Sequence, residues 1–458
     1  MQKHYFSEGL VGGDWLHDLC LTVAPDGMIT ALESGKKAPA GKPVHGPVLP
    51  AMPNLHSHAF QRAFAGLAEF REAGASDFWS WRNAMYHFAR HMTPEAVEVI
   101  ASALYVEMLK AGYSAVGEFH YLHNAHEDQS LAMSEAVLKA ANASGIALTH
   151  LPVLYQASDF GGELPVSGQA PFIHSTDDFT RLLKVLKPRF DGRHRLGLTF
   201  HSLRAVPEDS FAPAIDAIET LDMKAPIHIH IAEQTREVNA CVDWADKRPV
   251  EWLLESQNVD ERWCLVHATH VVEAEWRGMA ERGCVVGLCP TTEANLGDGV
   301  FPAHEFVKAG GRFGVGSDSH ISIDVREELR LLEYGQRLAR QARTVLTHAD
   351  GGHTGEFLWR QAARGGAQAL AQPVGEIAVG KRADLIVLDG KAPMFAGAAY
   401  SQIVDAFVFS GQPATITDVM VAGDWVITGG RHANEDEIFG RYNETVGRIA
   451  RLMEEEGA

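Results

Sequence analysis

Two histidines one residue apart, His56 and His58, follow the apolar run Leu49-Pro50-Ala51-Met52-Pro53-Asn54-Leu55. In a strand, residues i and i+2 project to the same face, roughly 6–7 Å apart, so both imidazoles could reach one metal ion. The chain holds 23 histidines, and the pair alone reads equally well as two unrelated side chains. It gains weight from similar residues at the ends of later apolar runs. His230 closes Ile227-His228-Ile229-His230-Ile231, His267 closes Cys264-Leu265-Val266-His267, and Asp318 follows Phe313-Gly314-Val315-Gly316-Ser317. Imidazoles with a carboxylate suit Zn2+, with Fe2+ or another divalent ion open as alternatives. Such a site keeps a position for water and lowers its pKa toward about 7. A hydroxide nucleophile then exists at neutral pH without an activated Ser or Cys, and the chain has no Gly-x-Ser-x-Gly and no His-Glu-x-x-His. Cys289 also ends a run but stands beside a complete ligand set.

Glu233 lies three residues past His230, close enough to relay a proton to a departing nitrogen; capping of the next helix is the alternative. His201 ends the fourth run, where a two-metal barrel enzyme would place a bridging modified lysine, so one metal ion is expected. Groups that could read a substrate follow the same runs: Gln61 after the histidine pair, Tyr121 after the second run, Arg204 in His201-Ser202-Leu203-Arg204, and Arg82 in Trp79-Ser80-Trp81-Arg82. An arginine fork matches a carboxylate bidentately. Two of them on one loop face suit a dianionic substrate, although each alone would pass for a loop-bracing side chain.

The elements that must position these residues are legible as a pattern. From residue 48, eight short apolar runs end near 56, 119, 153, 200, 231, 267, 289 and 317. Helical stretches separate most of them, as at 176–186, 207–221, 272–282 and 302–309. Thr93-Pro94 opens a helix with a cap and an N1 proline, and Gly112 closes it. This alternation predicts an α/β fold, a (β/α)8 TIM-like barrel, whose sites sit at the C-terminal ends of the strands. A doubly wound sheet is the alternative, but no Gly-x-Gly-x-x-Gly follows an early strand. Helices are expected at 326–342 and 354–371. Strand-like runs at 18–23 and 28–32 are too few to bury a core alone. Their partners are expected among the runs at 383–389, 403–409 and 419–427. The predicted organisation is a catalytic barrel over 48–375, inserted into a small β-sandwich built from 1–47 and 376–458, with a helix at the C terminus.

A formal net charge of −19 argues against nucleic-acid or anionic-membrane partners, which would demand a basic face. Five cysteines without Cys-x-x-Cys spacing suit reduced thiols. The start lacks the basic and apolar segments of a signal peptide, and no 18-residue apolar stretch occurs. A cytoplasmic enzyme is expected.

His-x-His, His, His and Asp on strands one, five, six and eight resemble the amidohydrolase superfamily. Within it, Pro53-Asn54-Leu55-His56-Ser57-His58-Ala59-Phe60-Gln61-Arg62 is similar to the formimidoylglutamate deiminases. So are Glu118-Phe119-His120-Tyr121, Phe200-His201-Ser202-Leu203-Arg204, His228-Ile229-His230-Ile231-Ala232-Glu233-Gln234, Glu293-Ala294-Asn295-Leu296-Gly297-Asp298-Gly299 and Gly316-Ser317-Asp318-Ser319-His320. The resemblance implies hydrolysis of a small dicarboxylate, N-formimino-L-glutamate, to N-formyl-L-glutamate and ammonia in histidine degradation. It implies one Zn2+ on His56, His58, His230 and Asp318. His267 and Asp318 would manage the proton of the water, and Glu233 would assist protonation of the nitrogen. Gln61, Arg82, Tyr121, His201 and Arg204 would hold the substrate, and a homodimer is the expected assembly. Deamination of a purine, pterin or triazine ring is the runner-up. A catalytically inactive scaffold is disfavoured, since no metal-ligand position is lost.

Overall fold

The computed structural model describes residues 1–66, 69, 85–86, 88–124, 130–190, 192–411 and 415–457. Strands β1 (Gln2–Val11) and β2 (Asp14–Val23) form a hairpin turning at Gly12-Gly13. β3 (Ile29–Glu33) pairs with β2, and β4 (Val48–Pro50) pairs with β1 in parallel. The chain then enters a parallel barrel made of β5 (Met52–Ser57), β6 (Tyr113–His120), β7 (Ala147–Leu154), a split fourth strand β8 (Arg195–Leu196) and β9 (Leu198–Phe200), β10 (Ile227–Ile231), β11 (Trp263–His267), β12 (Val285–Leu288) and β13 (Arg312–Val315). These strands are buried on both faces, which is why they read as nearly unbroken apolar runs.

Helices alternate with the strands as expected. The Pro94–Lys110 helix starts where the Thr93 hydroxyl accepts the Ala96 N–H at 3.2 Å, and the Thr176–Leu186 helix matches its expected span. After the barrel come β14 (Leu385–Leu388), β15 (Ile416–Val421), β16 (Asp424–Thr428) and β17 (Arg431–His432). They join the first four strands in one mixed sheet, ordered β17-β16-β15-β14-β4-β1-β2-β3. The sheet curls over its own core. Met28 bridges to Arg382, and Phe6, Leu21 and Ile29 pack with Leu385 and Met420.

One expectation fails. The run at 403–409 is not a strand but part of the Ser401–Ser410 helix. Its buried residues, Ile403, Val404, Phe407 and Val408, recur at helical spacing, which a short apolar run does not distinguish from a strand. Among the described residues, no helix is long and apolar enough to cross a membrane.

Two features of the barrel position the site. The Thr354–Ala369 helix and the turn after it pack under its N-terminal end. The imidazole of His228 donates to the Ala369 carbonyl at 2.7 Å, and Thr149 donates to the Leu370 carbonyl at 2.8 Å. At the opposite end, the first and last strands meet through a bridge between Ser57 and Asp318. The Asp318 N–H donates to the His56 carbonyl at 3.0 Å, and the His58 N–H donates to the Asp318 carbonyl at 3.2 Å. Gly316 permits this approach, because a Cβ there would lie 2.9 Å from the His56 nitrogen.

Gly365 makes a similar approach, on the helix that closes the bottom. A Cβ would stand 1.9 Å from the Phe313 carbonyl oxygen. Gly→Ala in a helix ordinarily stabilises by roughly 0.5–1 kcal/mol. Here overpacking against backbone should outweigh that, at about 1–3 kcal/mol or more. Gly365→Ala is therefore expected to lower the melting temperature in thermal unfolding, and a raised one would contradict this packing.

Candidate metal centre and substrate pocket

His56 and His58 sit at the end of β5, His230 at the end of β10, and Asp318 just past β13. The Nε2 atoms of His56 and His230 lie 3.0 Å apart. Asp318 Oδ1 is 3.4 Å from His56 Nε2 and 3.3 Å from His58 Nε2. Two of the rings are held by their other nitrogen. His58 Nδ1 donates to the Phe119 carbonyl at 2.9 Å, and His230 Nδ1 donates to the His201 carbonyl at 3.1 Å. In both, the Nε2 lone pair is left facing the centre. The Phe119 ring lies 4.1 Å from that of His230 and edge-on to His56 and His58.

This burial holds the His58 and His230 imidazoles below their ordinary pKa, and pushes His56 down to about 3. Burial alone would raise Asp318, but the surrounding histidines hold its carboxyl well below the usual range. Neutral imidazoles and a carboxylate thus converge on one point, a donor set that fits a divalent cation.

His267, at the end of β11, stands slightly apart. Its Nε2 is 3.7 Å from Glu233 Oε1 and 3.8 Å from Asp318 Oδ2. Its Nδ1 pairs with Glu293 Oε1 at 3.2 Å. Burial opposes charging this ring, yet the three carboxylates outweigh burial and push it up to about 10. Glu233 goes the other way in role: burial pushes it up to about 7, against the pull of His267. It does not cap the next helix. The N-cap is Gln234, whose side chain makes no cap bond; Glu237, in the helix's first turn, reaches back to accept the N–H groups of Ala232 and Glu233 at 3.2 and 3.1 Å. Asp318, His267 and Ala232 all have positive φ, backbone strain of the kind stored at functional sites.

The cavity that opens on His58, His230 and Asp318 is walled by Gln61, Tyr121, His201 and Arg204. Gln61 Nε2 donates to the Tyr121 hydroxyl at 2.6 Å. Its Oε1 is buried with no hydrogen-bond partner among the described residues, an acceptor open to a ligand's N–H. Arg82 lies outside the described residues. The sequence reading passed over several residues that shape the site. Glu293 orients His267, Tyr155 places its ring 4.3 Å from His201, and Glu118 stands behind Ser57. A buried carboxylate inside or just past an apolar run was the available signal for Glu118 and Glu293. Cys289, His267 and Glu293 also cluster, but Glu293 Oε1 already accepts the Cys289 N–H at 2.8 Å.

Comparison with known proteins agrees with this geometry. The amidohydrolase family profile matches residues 48–426. The chain belongs to the amidohydrolase family. A formimidoylglutamate deiminase from Pseudomonas aeruginosa is 46% identical over 454 residues, 98% of this chain and 100% of that one. A crystal structure of an amidohydrolase from Brucella melitensis superposes with a TM-score of 0.90 at 42% identity, covering 98% of this chain and all of that one. More distantly, a 5-methylthioadenosine/S-adenosylhomocysteine deaminase from Natronomonas pharaonis is 27% identical over 83% of this chain and 81% of its own length.

If the converging donors of this amidohydrolase hold a metal ion, binding must stabilise the fold. A ligand at 1,000 times its Kd adds about 4.1 kcal/mol. Adding Zn2+ to chelator-treated protein is expected to raise the melting temperature, and His230→Ala to abolish most of that rise. An equal rise in both proteins would place the ion elsewhere.

Proposed function

We propose that this amidohydrolase hydrolyses N-formimino-L-glutamate to N-formyl-L-glutamate and ammonia. The observation that carries the reading is the pairing, in one cavity, of the Arg204 guanidinium with the buried His/Asp cluster. A cation for a carboxylate then faces a hydrolytic centre. The full-length similarity to a formimidoylglutamate deiminase supports the same substrate. In this reading His56, His58, His230 and Asp318 would hold one divalent ion, Zn2+ being favoured by three imidazoles and one carboxylate. When bound, the ion would polarise the reacting group and acidify a water molecule.

The chain's own residues supply the rest. Arg204 binds a glutamate carboxylate, and the sequence pattern offers Arg82 as the partner for the other. Gln61 accepts an N–H of the formimino group, while Tyr121 and His201 shape the wall against it. These contacts hold the formimino carbon beside Asp318 and His267. Water adds to that carbon, and the tetrahedral adduct expels ammonia once its nitrogen is protonated. Glu233 and His267 lie 3.7 Å apart, and Glu233 sits near neutrality in its pKa. Together they hold a proton that can be handed to the departing nitrogen. Asp318, kept ionised, accepts the proton that the water gives up.

The ring-deaminase reading has one observation in its favour: Tyr86, Tyr121, Tyr155 and Phe172 line the cavity and could stack a base. The two readings separate in one assay. Zinc-loaded protein is expected to release ammonia from N-formimino-L-glutamate and to leave S-adenosylhomocysteine and adenosine unchanged. Arg204→Ala should lower kcat/KM by roughly 10–100-fold, the worth of a charge-assisted hydrogen bond. Faster turnover of a nucleoside would overturn the substrate, and full activity of Arg204→Ala would overturn the anchor. The same reading extends to a cytoplasmic homodimer, which a native mass of one chain per particle would overturn.

A further inference from the structure

The β5–β6 ladder shifts register between Asn54 and Ser57, which pair with Val116 and Glu118. Ser57 joins a buried chain of hydrogen bonds that runs from Asn54 to Glu118. The Asn54 amide donates to Ser317 Oγ at 2.6 Å and accepts the Ser317 N–H at 3.1 Å. Ser317 Oγ also lies 3.0 Å from His320 Nδ1. Because the Ser57 hydroxyl proton goes to Glu118, the 3.2 Å contact between His320 Nε2 and Ser57 Oγ places the ring proton on Nε2. Ser57 Oγ in turn donates to Glu118 Oε2 at 2.6 Å. Glu118 also accepts the Tyr105 hydroxyl at 3.1 Å and the Ala59 N–H at 2.7 Å. Each donor in the relay leads toward this carboxylate, and all three of its contacts are donors to it.

The relay crosses the seam between the first and last strands of the barrel. β5 and β13 do not share a regular ladder; they meet at the Ser57–Asp318 bridge. Asn54 and Ser57 lie on one side of that seam, and Ser317 and His320 on the other. On each side the chain carries residues of the candidate metal centre: His56 and His58 next to Ser57, Asp318 next to Ser317. On the far side the loop is also braced by Arg62, which donates to the His320 carbonyl at 3.0 Å while paired with Glu107.

We propose that Glu118 is a positioning residue for the metal centre, acting through Ser57 and His320 to hold the His56–His58 and Asp318 segments at the separation that binding requires. The inference rests on the reading that those residues hold a metal ion. Its physical basis is acceptor supply. Glutamine offers one acceptor oxygen and an NH2 group, so the amide hydrogens would face either the Ala59 N–H or the Ser57 and Tyr105 hydroxyls. The relay would then reverse or break, whereas the volume of the side chain would barely change. Groups that orient a metal's ligands typically contribute 10–100-fold in affinity.

The test is zinc affinity, measured by competition with a chromophoric chelator, together with the visible spectrum of the cobalt-substituted protein. Glu118→Gln is expected to weaken zinc binding 10–100-fold and to alter the cobalt bands. Ser57→Ala should do the same to a lesser degree. The double variant should bind zinc no worse than Glu118→Gln alone, because the two act by one route. A Glu118→Gln protein with wild-type zinc affinity and cobalt spectrum overturns the proposal, even if its melting temperature falls, since Glu118 would then only support the fold. Additive losses in the double variant overturn the routing through Ser57. If Glu118→Gln does not fold, Ser57→Ala decides alone, and wild-type affinity there overturns the proposal. Equal zinc binding by wild type and His230→Ala would remove the metal reading itself, which separates that failure from this one.

Discussion

The backbone that closes the barrel also carries its candidate metal-binding side chains. Where the first and last strands meet, the amide of Asp318 donates to the carbonyl of His56, and the amide of His58 donates to the carbonyl of Asp318. A parallel barrel must satisfy these groups because nothing else can reach them in the interior. The same two bonds fix the distance between the His-x-His pair and the carboxylate. Closure and ligand geometry are thus one constraint, met in a left-handed backbone conformation at Asp318. Strain there is tolerable because surrounding hydrogen bonds over-determine it.

Electrostatics follows from that geometry. Phe119 and the strand walls exclude water from three imidazoles, which keeps them neutral, and the remaining charge is negative. Asp318, Glu233 and Glu293 surround His267, so its ring is the one imidazole of the group stabilised as a cation. Burial has opposite consequences for residues a few ångströms apart. It empties His56 of its proton, while Glu233 is brought to the edge of neutrality. Such divergence between neighbouring titratable groups is how one pocket can offer metal ligands and a proton carrier together.

Much of this was legible in the sequence because barrel strands are nearly pure apolar runs. A histidine or aspartate at the end of one stands out, and strand-end placement predicts a common face. That logic located His56, His58, His230, His267 and Asp318, and Gln61, Tyr121, His201 and Arg204 after them. It could not decide whether Glu233 capped a helix, because its place just before Gln234 suits either role and only packing distinguishes them. Nor could it join Asn54 to Ser317 or Ser57 to Glu118. Asn54 and Ser317 meet across the seam and Ser57 and Glu118 across the β5–β6 pairing, and pattern within one run says nothing of the partner. The helix at 401–410 was misread for a related reason. Its β-branched and aromatic residues favour a strand locally, and tertiary burial of one helical face overrides them.

The mixed sheet has a consequence for how the chain is made. Leu49 pairs with Ile386, and Val11 bridges to Ile377, so strands that precede the barrel wait for partners that follow it. Until β14 and β15 emerge from the ribosome, Phe6, Leu19 and Leu21 have half of their core missing. Contacts of such long sequence separation form late and slowly. The barrel between them can assemble from neighbouring strand–helix units as they appear. Completion of the sheet then acts as a clasp that is fastened only after the whole barrel has been translated. A chain released early would keep its opening hairpin as an unpaired, apolar edge, the kind of surface on which nascent proteins aggregate.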